Sequence, residues 1–161
     1  MTGAEHTIDP NLDLVLEREV DVPPHLVWAA WTIPEHVVKW YAPKPYETVE
    51  CEIDLRPGGI FRAVMRSPEG RLMDEDAGCV LEVVENRRLV WTAALGPGFR
   101  PATSDLPFTA IITMEPVGAG TRYRAVAVHG STETKTAHEK LGFHEGWGAA
   151  LEQLVAMARN L

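Results

Sequence analysis

Hydrophobic and polar residues alternate from Leu12 to Val22, with Leu12, Leu14, Leu16, Val20 and Val22 on one side and Asp13, Glu17, Glu19 and Asp21 on the other. A period of two over that length predicts a strand with one face in a core. Pro23-Pro24 ends it and opens a short helix, in which Val27, Trp28 and Trp31 recur at helical spacing. Thr32-Ile33-Pro34-Glu35 has the form of a capping box and predicts a second helix start. Period two returns after Tyr41-Ala42-Pro43, where Val49, Cys51, Ile53 and Leu55 oppose Thr48, Glu50, Glu52 and Asp54. Pro57-Gly58-Gly59 supplies the positive φ angles of a tight hairpin, beyond which Phe61, Ala63 and Met65 alternate with Arg62, Val64 and Arg66.

Pro68-Glu69-Gly70 marks the next turn, and strands are expected near Met73 to Val84 and Leu89 to Leu95, on either side of Glu85-Asn86-Arg87. Gly96 to Pro107 has no periodicity and reads as a long connection, either a lid or a plain surface loop. Phe108, Ala110, Ile112 and Met114 alternate again, Val117-Gly118-Ala119-Gly120 turns, and Thr121 to His129 returns as a strand. From Thr132 the period becomes 3.6. Ala137, Leu141, His144, Trp147, Leu151, Leu154, Val155 and Ala158 then share one stripe, which predicts a single amphipathic closing helix. Gly142, Gly146 and Gly148 interrupt it and point to close packing, a kink or a late start.

A run of antiparallel strands with one long amphipathic helix hides its apolar faces when the sheet curls round the helix. The expected fold is therefore α+β: a curved antiparallel sheet wrapped around a long C-terminal helix, with two short helices after the first strand. Residues 12–161 are expected to form one domain, preceded by a polar lead-in over 1–11. The 161 residues, 45% of them hydrophobic and 24% charged, are enough for one core without disulfide or metal. Cys51 and Cys79 are read as reduced core thiols, and the chain as cytoplasmic. A net charge of −8, with 15 Lys and Arg spread along the whole length, argues against nucleic acid. No apolar run is long enough for membrane insertion.

Candidate chemistry is sparse. His138 and His144 stand six apart on the expected helix and face different ways, so no metal site is expected. No serine sits in a nucleophile elbow, and Gly58-Gly59 lacks the lysine of a nucleotide loop, so no cofactor is expected. Asp74, Glu75 and Asp76 read as a solvated strand edge, Arg62 and Arg66 as outer-face residues. His144 on the apolar stripe, His129 at the end of the last strand and Tyr123 are the candidates for proton transfer. Trp40, Phe61, Trp91, Phe108, Tyr123, Phe143 and Trp147 come from elements that the fold brings around one space, with Met65, Met73 and Met114 as adaptable walls. These side chains, with His144, make either a ligand pocket or a packed core.

The residues Pro24 to Trp31, Pro34 to Trp40, Asp54 to Gly59, Gly120-Thr121-Arg122, and Gly146-Trp147 with Leu151 and Leu154 resemble those of the START-like superfamily, also called SRPBCC or helix-grip. Within it the chain is similar to the branch of the heat-shock protein 90 ATPase activator. The resemblance covers about Leu12 to Leu161 and implies the helix-grip fold. It implies one of three functions: a binding protein for a hydrophobic or aromatic small molecule, a cochaperone-like protein with a chaperone partner, or an enzyme similar to polyketide cyclases and aromatases. Exposed strand edges leave a homodimer open.

Overall fold

The computed structural model describes residues 6–74 and 77–161. The first strand, β1 (Asp13–Val20), is followed by two short helices, α1 (Pro24–Thr32) and α2 (Pro34–Trp40). The chain then lays down β2 (Glu47–Ile53), β3 (Ile60–Arg66), the short β4 (Leu72–Met73), β5 (Gly78–Val84) and β6 (Arg88–Thr92). A small ribbon of β7 (Leu95–Gly96) and β8 (Arg100–Pro101) precedes the long hairpin of β9 (Phe108–Val117) and β10 (Gly120–His129). Two helices close the chain, α3 (Thr132–Lys140) and α4 (Phe143–Ala158).

The main sheet is antiparallel, in the order β1-β10-β9-β6-β5-β3-β2, with β4 added to β3. Its inner face carries Leu14, Leu16, Phe61, Val80, Leu89, Trp91, Ile112, Met114 and Tyr123, and α4 lays Leu151, Leu154, Val155 and Ala158 against it in one buried cluster. Small residues Ala110, Ala125 and Ala127 line the middle of that face and are fully buried, so the helices can approach the backbone closely. The sheet thus grips α4, as the sequence pattern implies. On the outer face Val90, Ile111 and Val126 form a second, smaller cluster with Ile8, Val15, Leu81 and Val128.

The sequence motifs have physical roles at the joints. Thr121 donates its hydroxyl to the Val22 carbonyl at 2.7 Å, tying the start of β10 to the end of β1. Gln153 on α4 donates to the carbonyls of Trp40 and Ala42, both at 2.8 Å, and accepts from the Lys44 amide at 3.0 Å, which clamps the end of α2 to the closing helix. At the start of β1, buried Asp13 accepts from the Asp9 amide at 2.8 Å and meets His6 Nε2 at 2.7 Å. Met1 to Glu5 of the expected lead-in lie outside the described residues.

Several local expectations are corrected. Thr32 does not cap α2: it is the last residue of α1, its hydroxyl donates back to the Trp28 carbonyl, and Ile33 occupies the cap position without a side-chain bond. The strand expected over Met73 to Val84 is two strands, β4 and β5, with Glu75 and Asp76 between them outside the described residues. Val49 sits at a bulge in β2, and it and Leu55 are exposed.

The single closing helix is also two. Gly142 adopts φ 92 and ψ 42, a left-handed conformation that breaks the helical phase between α3 and α4. Ala137 and Leu141 consequently face solvent. Nothing lies within 4 Å of a Cβ built on Gly142, so only its backbone angle resists substitution. Gly142→Ala is expected to lower stability by roughly 1–2 kcal/mol, and Gly142→Asn by less, as read by urea denaturation.

Candidate functional site

At the end of the sheet where β5 and β9 begin and β6 and β10 finish, aromatic rings run in an unbroken row. Phe61 and Trp91 stack, with centroids 4.5 Å apart and planes 10° from parallel. Phe108 meets Trp91 edge-on at 5.5 Å and Trp147 at 5.9 Å, and Trp147 packs on Phe143 at 4.7 Å. On the inner side Trp31 contacts Trp40 at 4.9 Å and Trp91 at 6.5 Å. Offset and edge contacts of this kind add to the burial of large rings. The elements align them: Phe61 and Trp91 occupy inward positions on strands that both pair with β5, while Phe143 and Trp147 are one turn apart on α4.

The aromatic residues singled out in the sequence are thus brought together, and most of the space among them is filled. Trp40 is buried and donates to the Ala30 carbonyl at 2.9 Å. Tyr123 is buried and accepts the Trp31 indole N–H at 3.1 Å, and burial pushes its phenol far above the ordinary value. Met114 is fully buried beside Tyr123. Met65 stands apart, roughly 13 Å along β3 from Phe61, paired with Met73.

What remains open is a cleft of about 80 Å³ walled by Tyr41, Phe61, Arg62, Ala63, Gly78, Trp91 and Ala93. Trp91, one of these walls, has its Nε1 buried without a hydrogen-bond partner among the described residues. A buried donor left unpaired costs about 1–3 kcal/mol, so its retention is informative. Tyr41, also in the wall, is held protonated by burial. Cys51 is likewise pushed up to about 11, mainly by burial and then by Glu35, which makes it a poor nucleophile at neutral pH. A larger depression of about 330 Å³ lies at the other end of β1 and β10, between Glu19, Asp21, Val117 and Ala119. It is broadly open and has no aromatic wall, so the smaller cleft is the better candidate.

The histidines are arranged differently from the sequence expectation. His144 does not face the sheet: it is the second residue of α4, its side chain is 55% exposed, and its nearest charged neighbour is Glu139 at 4.0 Å. The inward ring is His138, which the helical stripe drawn through Gly142 leaves off the core face. It is the buried residue of otherwise polar α3. Ser131 caps that helix by accepting the Thr134 amide, which fixes the phase that turns His138 inward.

His138 Nδ1 lies 2.9 Å from His129 Nε2, and His129 Nδ1 lies 2.7 Å from the Leu12 carbonyl. A carbonyl only accepts, so His129 Nδ1 carries a hydrogen; when both rings are neutral, His129 accepts at Nε2 and His138 donates from Nδ1. Burial, and secondarily His129, lowers the His138 pKa to about 4. Phe108 at 4.7 Å, Phe143 at 5.3 Å and Trp147 at 6.0 Å surround its ring. No group of three or more His, Cys, Asp or Glu among the described residues is placed to hold a metal ion, and no helix there is long and apolar enough to cross a membrane.

Arg62, expected on the outer face, pairs with Asp74 at 2.8 Å and Glu50 at 3.0 Å, which holds the Asp74 carboxyl below its usual value. This accounts for Asp74 as a structural partner, whereas Glu75 and Asp76 lie outside the described residues.

A family model described as "Activator of Hsp90 ATPase homolog 1-like protein" matches residues 21–159. The crystal structure of a Nitrosomonas europaea protein matches with 46% identity and a TM-score of 0.91, covering 95% of this chain and 97% of that one. A Mycobacterium smegmatis protein matches with 26% identity and a TM-score of 0.75 over 97% and 95% of the two chains. A Rhodobacter sphaeroides protein, at 21% identity and a TM-score of 0.80 over 96% and 97%, shares the fold. No curated protein is matched.

Proposed function

We propose, for a chain that belongs to the activator of Hsp90 ATPase homolog 1-like family within the START-like superfamily, that it binds a small aromatic or hydrophobic molecule at the aromatic end of the sheet. The observation that carries this reading is a cleft walled by Tyr41, Phe61 and Trp91, the last of which has a buried indole N–H without a partner among the described residues. A flat ring can lie along the Phe61–Trp91 stack while a ligand oxygen accepts the unused hydrogen. The cleft of about 80 Å³ is well below the ~300 Å³ of a typical drug-sized pocket. It therefore fits a single-ring compound or the head of a longer one.

Trp91→Phe tests the reading, because it keeps a stacking ring and removes the donor. Thermal unfolding should show a folded protein with a lower midpoint, since the cavity left by the smaller ring in this packed cluster outweighs relief of one unpaired donor. Titration with single-ring ketones and aldehydes, followed by thermal shift and calorimetry, should show binding weakened about tenfold in the variant, the worth of one hydrogen bond. No stabilisation of the wild-type protein by any such compound, or equal affinity for both proteins, would reject the reading.

A further inference from the structure

We infer that the cleft takes uncharged ring compounds and turns away their carboxylates, because Asp74 and Glu50 occupy Arg62, the charged residue in its wall. The inference rests on the binding reading above and adds the charge class that the site accepts. An arginine in a binding wall is ordinarily a receptor for carboxylates, because its planar fork pairs with both oxygens. Here that fork is already engaged. Arg62 Nε donates to Asp74 Oδ1 at 3.1 Å and Nη2 to Asp74 Oδ2 at 2.8 Å, while Nη1 donates to Glu50 Oε1 at 3.0 Å.

Strand pairing builds this arrangement. Arg62 on β3 stands directly opposite Glu52 on β2, with Glu50 two residues along on the same face. β4 folds back on β3 with Met73 opposite Met65, and so delivers Asp74, the next residue, to the guanidinium. Two carboxylates therefore surround one cation and leave an excess of negative charge, to which Glu52 adds. Arg62 also holds the Asp74 carboxyl below its usual value, so that charge persists at neutral pH. A ligand carboxylate reaching the cleft would shed water, find the fork engaged and meet net negative charge. An aldehyde on the same ring brings an acceptor oxygen with no charge to desolvate.

Benzaldehyde and benzoate are the probes, one ring whose oxygen acceptors differ in charge. Calorimetry at neutral pH should find benzaldehyde bound by the wild-type protein at least about tenfold more tightly than benzoate. Desolvation alone weakens benzoate in any apolar cleft, so Asp74→Asn decides the role of the ion pair. The change releases the fork of Arg62, and a surface pair contributes little to folding, which a thermal scan of the variant checks. In Asp74→Asn, benzoate affinity should rise about fivefold or more at low salt while benzaldehyde affinity changes less than about twofold, and the benzoate gain should fade near 1 M salt, where screening acts within about 3 Å. A merely structural role for Asp74 would move both probes together. Glu50→Gln should act in the same direction and takes the place of Asp74→Asn if that protein does not fold. Benzoate bound by the wild type as tightly as benzaldehyde or more so, or no selective benzoate gain in the folded variants, overturns the inference and leaves the binding reading intact. Binding of neither probe overturns both.

Discussion

Gly59→Ala should be the most damaging conservative change in this chain, lowering stability by at least about 4 kcal/mol or preventing folding. A Cβ on Gly59 would fall 2.0 Å from the Asp54 carbonyl oxygen and 2.9 Å from the Asp54 Cβ. The turn cannot drift to relieve this. Asp54 N donates to Ile60 O, Gly59 N to Arg56 O, and β5 holds the same turn through Gly58 N to Val80 O and Val80 N to Gly59 O, all within 2.9 Å. Gly58→Ala is the control. It has φ 85, and its Cβ would meet only the exposed Phe99 ring at 2.8 Å, which can swing away. That change should cost roughly 1–2 kcal/mol, the left-handed penalty alone. Urea denaturation of both variants decides it: a Gly59→Ala protein within 1 kcal/mol of wild type would refute the close approach.

Acid should remove about 3 kcal/mol of stability between pH 6.5 and pH 4, and most of that loss should trace to His138. The folded pKa is about 4 against an ordinary 6.5, so between those values the unfolded chain binds more protons than the folded one. Stability then rises with pH across the window and falls as pH drops through it, by about 1.4 kcal/mol for each unit. A proton arriving at His138 meets burial first and then the neighbouring His129 ring, 2.9 Å away. Asp74 loses its Arg62-held charge at a lower pH, below the usual carboxylate value, and does not contribute to this window. Denaturation free energies at pH 7 and pH 4.5 should differ by over 2 kcal/mol in the wild type and by less than half of that in His138→Phe. A flat wild-type profile would refute the assignment.

The strand pattern was legible because alternation survives any curvature of a sheet. β9 and β10 run within a residue or two of the expected limits, and the inward set Phe61, Trp91, Met114 and Tyr123 follows from period two. The helix stripe failed at a definable place. Projecting a constant turn per residue through Gly142 ignores the left-handed residue there, and the resulting phase error turned His144 inward on paper and His138 outward. The same limit applies to Thr32, whose spacing to Glu35 fits a capping box while its hydroxyl is already used by the helix behind it. Trp31 and Tyr41 belong to the aromatic row but are absent from the set expected from the sequence, which placed Trp31 only on the apolar face of a short helix, too short to show which strand it meets. The empty donor of Trp91 is a matter of side-chain packing in three dimensions, and no spacing encodes it.

The strand order also sets how this protein reaches its folded state. β1 has no partner until β10 exists: their register runs from Asp13 opposite Val128 to Val20 opposite Thr121. The inner face of the sheet is capped only when α4 arrives behind it. Closing so long a loop before contacts reward it places folding on the millisecond-to-second scale of non-local β topologies. During synthesis, the nascent sheet would display Phe61, Trp91 and Met114 with no helix over them, and completion would wait for the closing helix to leave the ribosome.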